Sequence, residues 1–222
     1  KNTIVNLDKE KGGYKGAPKF PIFNIYDVLL YFFTKTKNVN YKEPVELILK
    51  QLCSQGIYDH VEGGLSRYTV DENWLIPHFE KMLYDNAQFV LLISKFLKIN
   101  KNDYFEKKIT QTIEFINNNF LNSESNLLGS AYDADSDGEE GKYYVFTYNE
   151  LKNIKDIELY FDISPNGNWE NKIILKEIKV PPESIVIKLK DLRRKKKKPF
   201  FDNKIQLDLN CLWVSALISA EK

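Results

Sequence analysis

Only two histidines, His60 and His78, occur in the 222 residues, so imidazole chemistry has few places to reside. His78 lies in Trp74-Leu-Ile-Pro-His-Phe-Glu-Lys-Met-Leu-Tyr-Asp-Asn-Ala87, seven residues before Asp85. An imidazole and a carboxylate that share a face can pass protons at neutral pH. Ile76, Phe79, Leu83, Val90, Ile93 and Leu97 recur at three- and four-residue steps. That spacing predicts a buried helix with Pro77 in its first turn, and it puts His78, Met82, Asp85 and Phe89 on a second stripe. First-turn N–H groups and the helix dipole would keep His78 neutral, able to act as a base, while Glu80 would complement the dipole. A structural histidine without chemistry is the alternative for His78.

Two further stretches carry polar groups that such a pair would need. Residues 57–71 hold Gly63-Gly64 between β-prone runs, which reads as a β-hairpin or a long ordered loop. Its Arg67 could clamp an anionic or hydroxyl group, or tie the loop to Asp59 or Asp71. Residues 133–140 hold five carboxylates. Asp133, Asp135, Asp137 and Gly138 imitate the start of an EF-hand, but the twelfth position is Tyr144 and strand-like Lys142–Thr147 follows in place of a helix. A different cation site, a ligand loop closed by Lys142 or Arg67, and a solvated acidic turn stay open, the ligand loop being preferred.

The elements that must position these groups are mainly helical. After a Gly/Pro-punctuated loop at 11–21, Ile22–Phe33 reads as an amphipathic helix. A second follows Pro44 and ends at Gly56 in a left-handed C′ position. The central helix pairs with another carrying Tyr104, Phe105, Ile109, Ile113, Ile116 and Phe120. Thr147-Tyr148-Asn149-Glu150 has capping-box spacing, Asn166–Trp169 reads as a turn, and Ile173–Leu175 as an extended piece. Pro181-Pro182-Glu183-Ser184 opens a helix with Lys188, Lys190 and Arg193 outward, and Arg193–Lys198 could contact nucleic acid but, lacking interleaved aromatics in a charge-balanced chain, reads rather as the solvated end of that helix. Leu207–Ala220 is a last apolar helix with no evident partner.

Lysine plus arginine number 32 against 31 aspartates and glutamates, a formal charge of +1, so no overall field draws the chain to nucleic acid or to a membrane. Cys53 and Cys211 form no metal or redox spacing, which points to a reducing, cytoplasmic setting. No apolar run approaches the roughly 18 residues of a membrane span. The start Lys1-Asn2-Thr3 has neither a signal-type segment nor an initiator methionine, as expected of part of a longer protein.

Gly12-Gly-Tyr-Lys-Gly-Ala-Pro-Lys-Phe-Pro21, Gly56-Ile-Tyr-Asp59, Gly63-Gly64 with Arg67-Tyr68 and Asp71, the fourteen residues 74–87, Asp133-Ala-Asp-Ser-Asp-Gly-Glu-Glu-Gly-Lys142 and Gly167-Asn-Trp-Glu170 together resemble the thioredoxin-domain-containing, spermatogenesis-associated protein 20-like family. The resemblance runs from about Gly12 to Ala220. It implies a mainly all-α fold, part of an (α/α) toroid similar to N-acylglucosamine 2-epimerases and six-hairpin glycosidases, with a short β-hairpin and loop insertions. Residues 1–222 would form part of one such toroid, without the family's N-terminal thioredoxin-like domain and later helical hairpins. Where the family usually has Phe-His-Arg-Tyr, this chain has Leu65-Ser66 before Arg67. Where it has Asp-Asp-Lys-Ile-Leu-x-x-Trp-Asn-Gly-Leu, this chain reads Asp202-Asn203-Lys204-Ile205-Gln206-Leu207-Asp208-Leu209-Asn210-Cys211-Leu212.

With the resemblance, the same residues imply a sugar-like small-molecule ligand and no cofactor or metal. His78 would be acid or base, Asp85 would orient it or a sugar hydroxyl, and Asp135 would be the partner acid. Arg67, Tyr68, Trp74, Tyr84, Asp133 and Glu139 would contact substrate. Epimerisation or isomerisation by proton removal next to a carbonyl is one outcome. A glycosidase would instead need a carboxylate pair, such as Asp85 with Asp135, roughly 5–10 Å apart. The competing class is a non-catalytic scaffold or binding module for a thioredoxin-like domain.

Overall fold

A computed structural model describes residues 5–221; the Lys1-Asn2-Thr3 start lies outside them. The first hairpin follows its apolar spacing. α1 (Phe23–Thr36) buries Phe23, Tyr26, Leu29 and Leu30, and a left-handed Lys37 closes it on the Phe33 carbonyl. α2 (Val39–Ser54) begins earlier than Pro44 suggests, because the Asn38 side chain caps it by accepting the Asn40 N–H, and Pro44 falls in its second turn. Gly56 does not take the expected left-handed position. Its lack of a side chain serves a close approach instead, since a Cβ there would occupy the place of the Leu75 carbonyl oxygen.

The helix expected from Trp74 starts later, at α3 (Leu83–Leu97). Asp71 accepts the N–H groups of Asn73, Leu75 and Ile76, which folds residues 71–76 into a turn. Residues 67–70 then run antiparallel to 76–80, joined by Val70 N–H to the Ile76 carbonyl, His78 N–H to Tyr68 and Arg67 N–H to Glu80, all at 2.9 Å. These pairings leave the backbone no partners for helical bonds. Pro77, Phe79, Lys81 and Leu83 are buried while His78, Glu80 and Met82 between them are half-buried. This is the two-residue period of a strand, so His78 and Asp85 do not share a helix face.

α3 is the axis of the molecule. It buries Leu83, Ala87, Phe89, Val90, Leu92, Ile93 and Phe96, and it touches α1, α4 (Asp103–Asn119) and α7 (Leu207–Ala220). α7 therefore has a partner after all, packing on α3 and burying Trp213 and Ala216. At the head of α3, β1 (Lys81–Met82) pairs antiparallel with β2 (Ala131–Tyr132), which pairs with β5 (Phe201–Asp202). β3 (Asp135–Ser136) and β4 (Glu139–Glu140) form a separate hairpin, turned by Asp137 and Gly138 at positive φ. Residues 142–145, strand-like in composition, form turns that bury Tyr143, Tyr144 and Val145. The capping box at Thr147 and Glu150 opens α5 (Tyr148–Leu151). With a 3₁₀ turn at Ile157–Leu159 and α6 (Glu183–Arg193), it encloses a second small core of Phe146, Leu151, Ile157, Phe161, Ile173 and Leu189. Among the described residues no helix is long and apolar enough to cross a membrane.

The two cores are locked by charge. Arg193, read from sequence as outward, is buried at the end of α6, its guanidinium 2.6 Å from both Asp59 oxygens. Lys81 reaches Asp59 from β1 at 2.7 Å and the Gly63 carbonyl at 2.9 Å, with its ammonium 4.0 Å from the Phe115 ring centre. Burial alone would raise the Asp59 pKa, but the Arg193 and Lys81 charges outweigh it and hold the carboxyl well below the usual range. Removing one member of such a group strands buried charges. Asp59→Ala should thus cost about 3–5 kcal/mol in urea unfolding, whereas a loss under about 1 kcal/mol would mean that the cluster does not hold the cores together.

Candidate active site at the head of the central helix

The extended run 76–82 and the first turn of α3 present a polar face. His78 leaves its strand on the side away from Phe79 and Lys81, and its ring stacks on Tyr68 from the opposite segment, centroids 5.0 Å apart. Tyr68 stacks in turn on Phe20 at 4.5 Å, so three flat rings form a slab. The loop carrying Arg67 and Tyr68 is pinned to α3 by Asn86, whose carbonyl oxygen accepts the Leu65 N–H at 2.7 Å and whose amide donates to Leu65 and Met82 carbonyls.

Glu80 does not complement a helix dipole, and Arg67 binds neither Asp59 nor Asp71. The two pair with each other at 3.2 Å, because Asp59 is occupied by Lys81 and Arg193, and Asp71 by backbone N–H groups. Asp85, at the first turn of α3, is 7% exposed. Its Oδ2 is buried without a hydrogen-bond partner among the described residues. Burial pushes its pKa up to about 7, with the Arg67 charge opposing the rise and Glu80 adding to it. Tyr84 lies beside the same Arg67, and burial and the neighbouring Asp85 raise its hydroxyl pKa. A carboxyl poised to gain or lose a proton near neutrality is the group a proton-transfer site needs.

The acidic hairpin meets this face through Glu140, not through Asp135. The Glu140 carboxylate lies 2.8 Å from His78 Nδ1. Asp133 and Asp135 are exposed, and the Asp133 side chain faces the Asp135 N–H at 3.4 Å. Glu139 turns to Lys172 and Lys142. Lys142 does close the loop, on Asp137 and Glu139, but Arg67 does not. No three of His, Cys, Asp and Glu are grouped to hold a metal ion among the described residues.

Of the residues expected to act, the structure brings Arg67, Tyr68, His78, Tyr84 and Asp85 to one end of α3. Trp74 is excluded from ligand contact: it is fully buried, with its Nε1–H on the Lys11 carbonyl at 2.8 Å and the buried Lys19 ammonium over its ring. Sequence reasoning gave no site role to Phe20 or Glu140 and gave Glu80 only a helix-dipole role. Glu140 sat within the recognised acidic run, and Glu80 is exposed as a partner only once the strand period is recognised. His60, the other imidazole, is structural. It is buried beside Lys108 and Glu177, and burial, then the Lys108 charge, depress its pKa.

No family model matches the chain. It is 34% identical to spermatogenesis-associated protein 20 of mouse and to that of human over 157 residues, 66% of this chain. The match spans about a fifth of the length of those relatives, 20%. Among solved structures, the cellobiose 2-epimerase of Bacillus thermoamylovorans superposes with a TM-score of 0.54 at 17% identity, covering 97% of this chain and 62% of that one. That of Spirochaeta thermophila gives 0.52 at 16% identity, over 59% and 35%. The fold is thus of the (α/α) toroid type.

The raised Asp85 pKa has a sign that can be tested. A carboxyl that holds its proton more tightly folded than unfolded adds stability that is full below its unfolded pKa of about 3.9 and is lost as pH rises through about 7. Asp85→Asn, a permanent mimic of the neutral acid, should therefore raise stability at pH 8 by about 2 kcal/mol and change it little at pH 4. Thermal unfolding at both pH values checks this, and an equal effect at each would contradict it.

Proposed function

Because this chain belongs to the spermatogenesis-associated protein 20-like family, with the fold of sugar epimerases, we propose that the head of α3 is a carbohydrate-type ligand site with epimerase- or isomerase-like chemistry. The observation that carries this reading is an aromatic slab, Phe20–Tyr68–His78, on the same strand pair as Arg67, whose charge acts on Asp85, a buried carboxyl with its Oδ2 unpartnered among the described residues. Aromatic faces suit the C–H faces of a sugar ring, and guanidinium and carboxyl groups suit its hydroxyls. The cellobiose 2-epimerases suggest a reducing sugar as the substrate class.

In this proposal Glu140 accepts the His78 Nδ1–H, which fixes the tautomer and leaves Nε2 as the base. Nε2 takes the proton from the carbon next to the carbonyl of the open-chain sugar. The C–H electron pair moves into a new C=C bond, and the carbonyl oxygen, taking the proton of neutral Asp85, becomes a hydroxyl of the enediol. The imidazolium then returns its proton to the former carbonyl carbon while Asp85 takes the proton of the neighbouring hydroxyl, which moves the carbonyl by one carbon and restores both residues to their starting protonation. Arg67 anchors a hydroxyl or anionic group. Asp133 and Asp135, on the neighbouring hairpin, are outer contacts for a longer ligand, whereas Glu139 is taken up by Lys172 and Lys142. The two free thiols, Cys53 and Cys211, agree with a cytoplasmic setting, and a thioredoxin-like domain is the partner proposed for the full-length protein.

A second reading, a scaffold for that domain, is favoured by the burial of Trp74 and by the ion pair that already occupies Arg67. The full-length protein incubated with cellobiose, other reducing sugars or their phosphates in D₂O separates the two. The site reading expects deuterium at the carbon next to the carbonyl, and a fall of about 100-fold or more in His78→Asn with an unchanged melting temperature. Absence of exchange into every sugar tried, with His78→Asn acting only on melting temperature, leaves the scaffold.

A further inference from the structure

Arg194, Lys195, Lys197 and Lys198 of the basic run are exposed, as the sequence suggests, but the run also folds back on the acidic hairpin and the residue 142–147 turn. Arg193, locked on Asp59, fixes its start. The Lys196 ammonium donates to the Val145 carbonyl and stands 4.4 Å from the Phe146 ring centre. The Ser136 hydroxyl donates to the Lys197 carbonyl. Three attachments thus hold Lys195, Lys196 and Lys197 along one wall of a cleft of about 380 Å³. Lys142 and Lys172 come to the same cleft from two other segments.

Five ammonium groups face three carboxylates there, an excess of two positive charges in a chain whose formal charge is +1. The carboxylates are already shared. Asp137 lies between Lys142 at 3.3 Å and Lys197 at 3.7 Å, Glu139 between Lys172 and Lys142, and Glu150 accepts the Thr147 hydroxyl at 2.9 Å with Lys196 at 3.5 Å. Lys195 is exposed and has no ion-pair partner among the described residues. Burial lowers the pKa of Lys196; Glu150 opposes the shift, and Arg193 and Lys172 add to it, as a local surplus of positive charge requires.

We propose that this cleft binds a phosphate dianion, either inorganic phosphate or the phosphoryl group of a small monoester. The charge excess matches a dianion, and converging ammonium groups on fixed backbone suit a phosphate's several acceptors. The run carries no aromatic side chain that would stack on bases, and three carboxylates in the wall oppose a long polyanion. The site is separate from the His78 face, so it stands or falls independently of any sugar chemistry there.

The test is calorimetric titration of the full-length protein with inorganic phosphate and with glucose 6-phosphate at low salt. Saturable binding is expected, weakened at least about tenfold in Lys195→Ala/Lys197→Ala and kept in Lys195→Arg/Lys197→Arg, with melting temperatures unchanged. Equal affinity for the two ligands identifies phosphate itself, and tighter binding of the ester identifies the ester; both uphold the site. It is overturned by no saturable binding of either, by equal affinity in the double alanine variant, or by binding confined to an oligonucleotide.

Discussion

Everything at the head of α3 depends on one carboxylate, Asp59, accepting Lys81 from the strand before α3 and Arg193 from the end of α6. Each cation comes from a different packing unit. Lys81 belongs to the run that leads into the large helical core, and Arg193 closes the helix of the small second core. Charges this deeply buried need opposite charges and hydrogen bonds around them. The Gly63 and Tyr144 carbonyls add such bonds for Lys81 and for one Arg193 nitrogen, although Arg193 Nε has no partner among the described residues. The geometry is specific because small changes would leave one of three charges bare.

That constraint explains why His78 sits where it does. For Lys81 to point inward, the strand must alternate, and alternation sends His78 and Glu80 outward, where Tyr68, Arg67 and Glu140 meet them. A second ionic group, Lys108 with Glu177 and His60, works on the same plan beside α4. Burial opposes the Glu177 charge, but hydrogen bonding with His60 and the Lys108 charge bring its pKa down to about 2. The chain thus uses one histidine to secure the frame and leaves the other on a face that a ligand can reach.

The sequence makes the helices of one-sided burial legible. α1, α4 and α6 fall close to the spans that their apolar spacing marks, since each shows one stripe to a core. It misleads at residues 74–82. Ile76, Phe79 and Leu83 fit a helical step, yet the inward set is Pro77, Phe79, Lys81 and Leu83, and a lysine does not count as apolar. Arg193 was misplaced for the same reason, its partner lying 134 residues away in sequence. The site was half legible. Arg67, His78 and Asp85 stood out by residue type, whereas Glu140 and Phe20 depend on contacts between distant segments that no local pattern encodes.

In the proposed function, His78, Arg67 and Asp85 form one ligand site. The most direct measurement is an NMR titration of the full-length protein with cellobiose, following the His78 imidazole nitrogens and the Asp85 carboxyl carbon together. Both signals should shift along a single saturation curve, with His60 unmoved. Signals that stay fixed at saturating sugar, or that follow different curves, would contradict a single site.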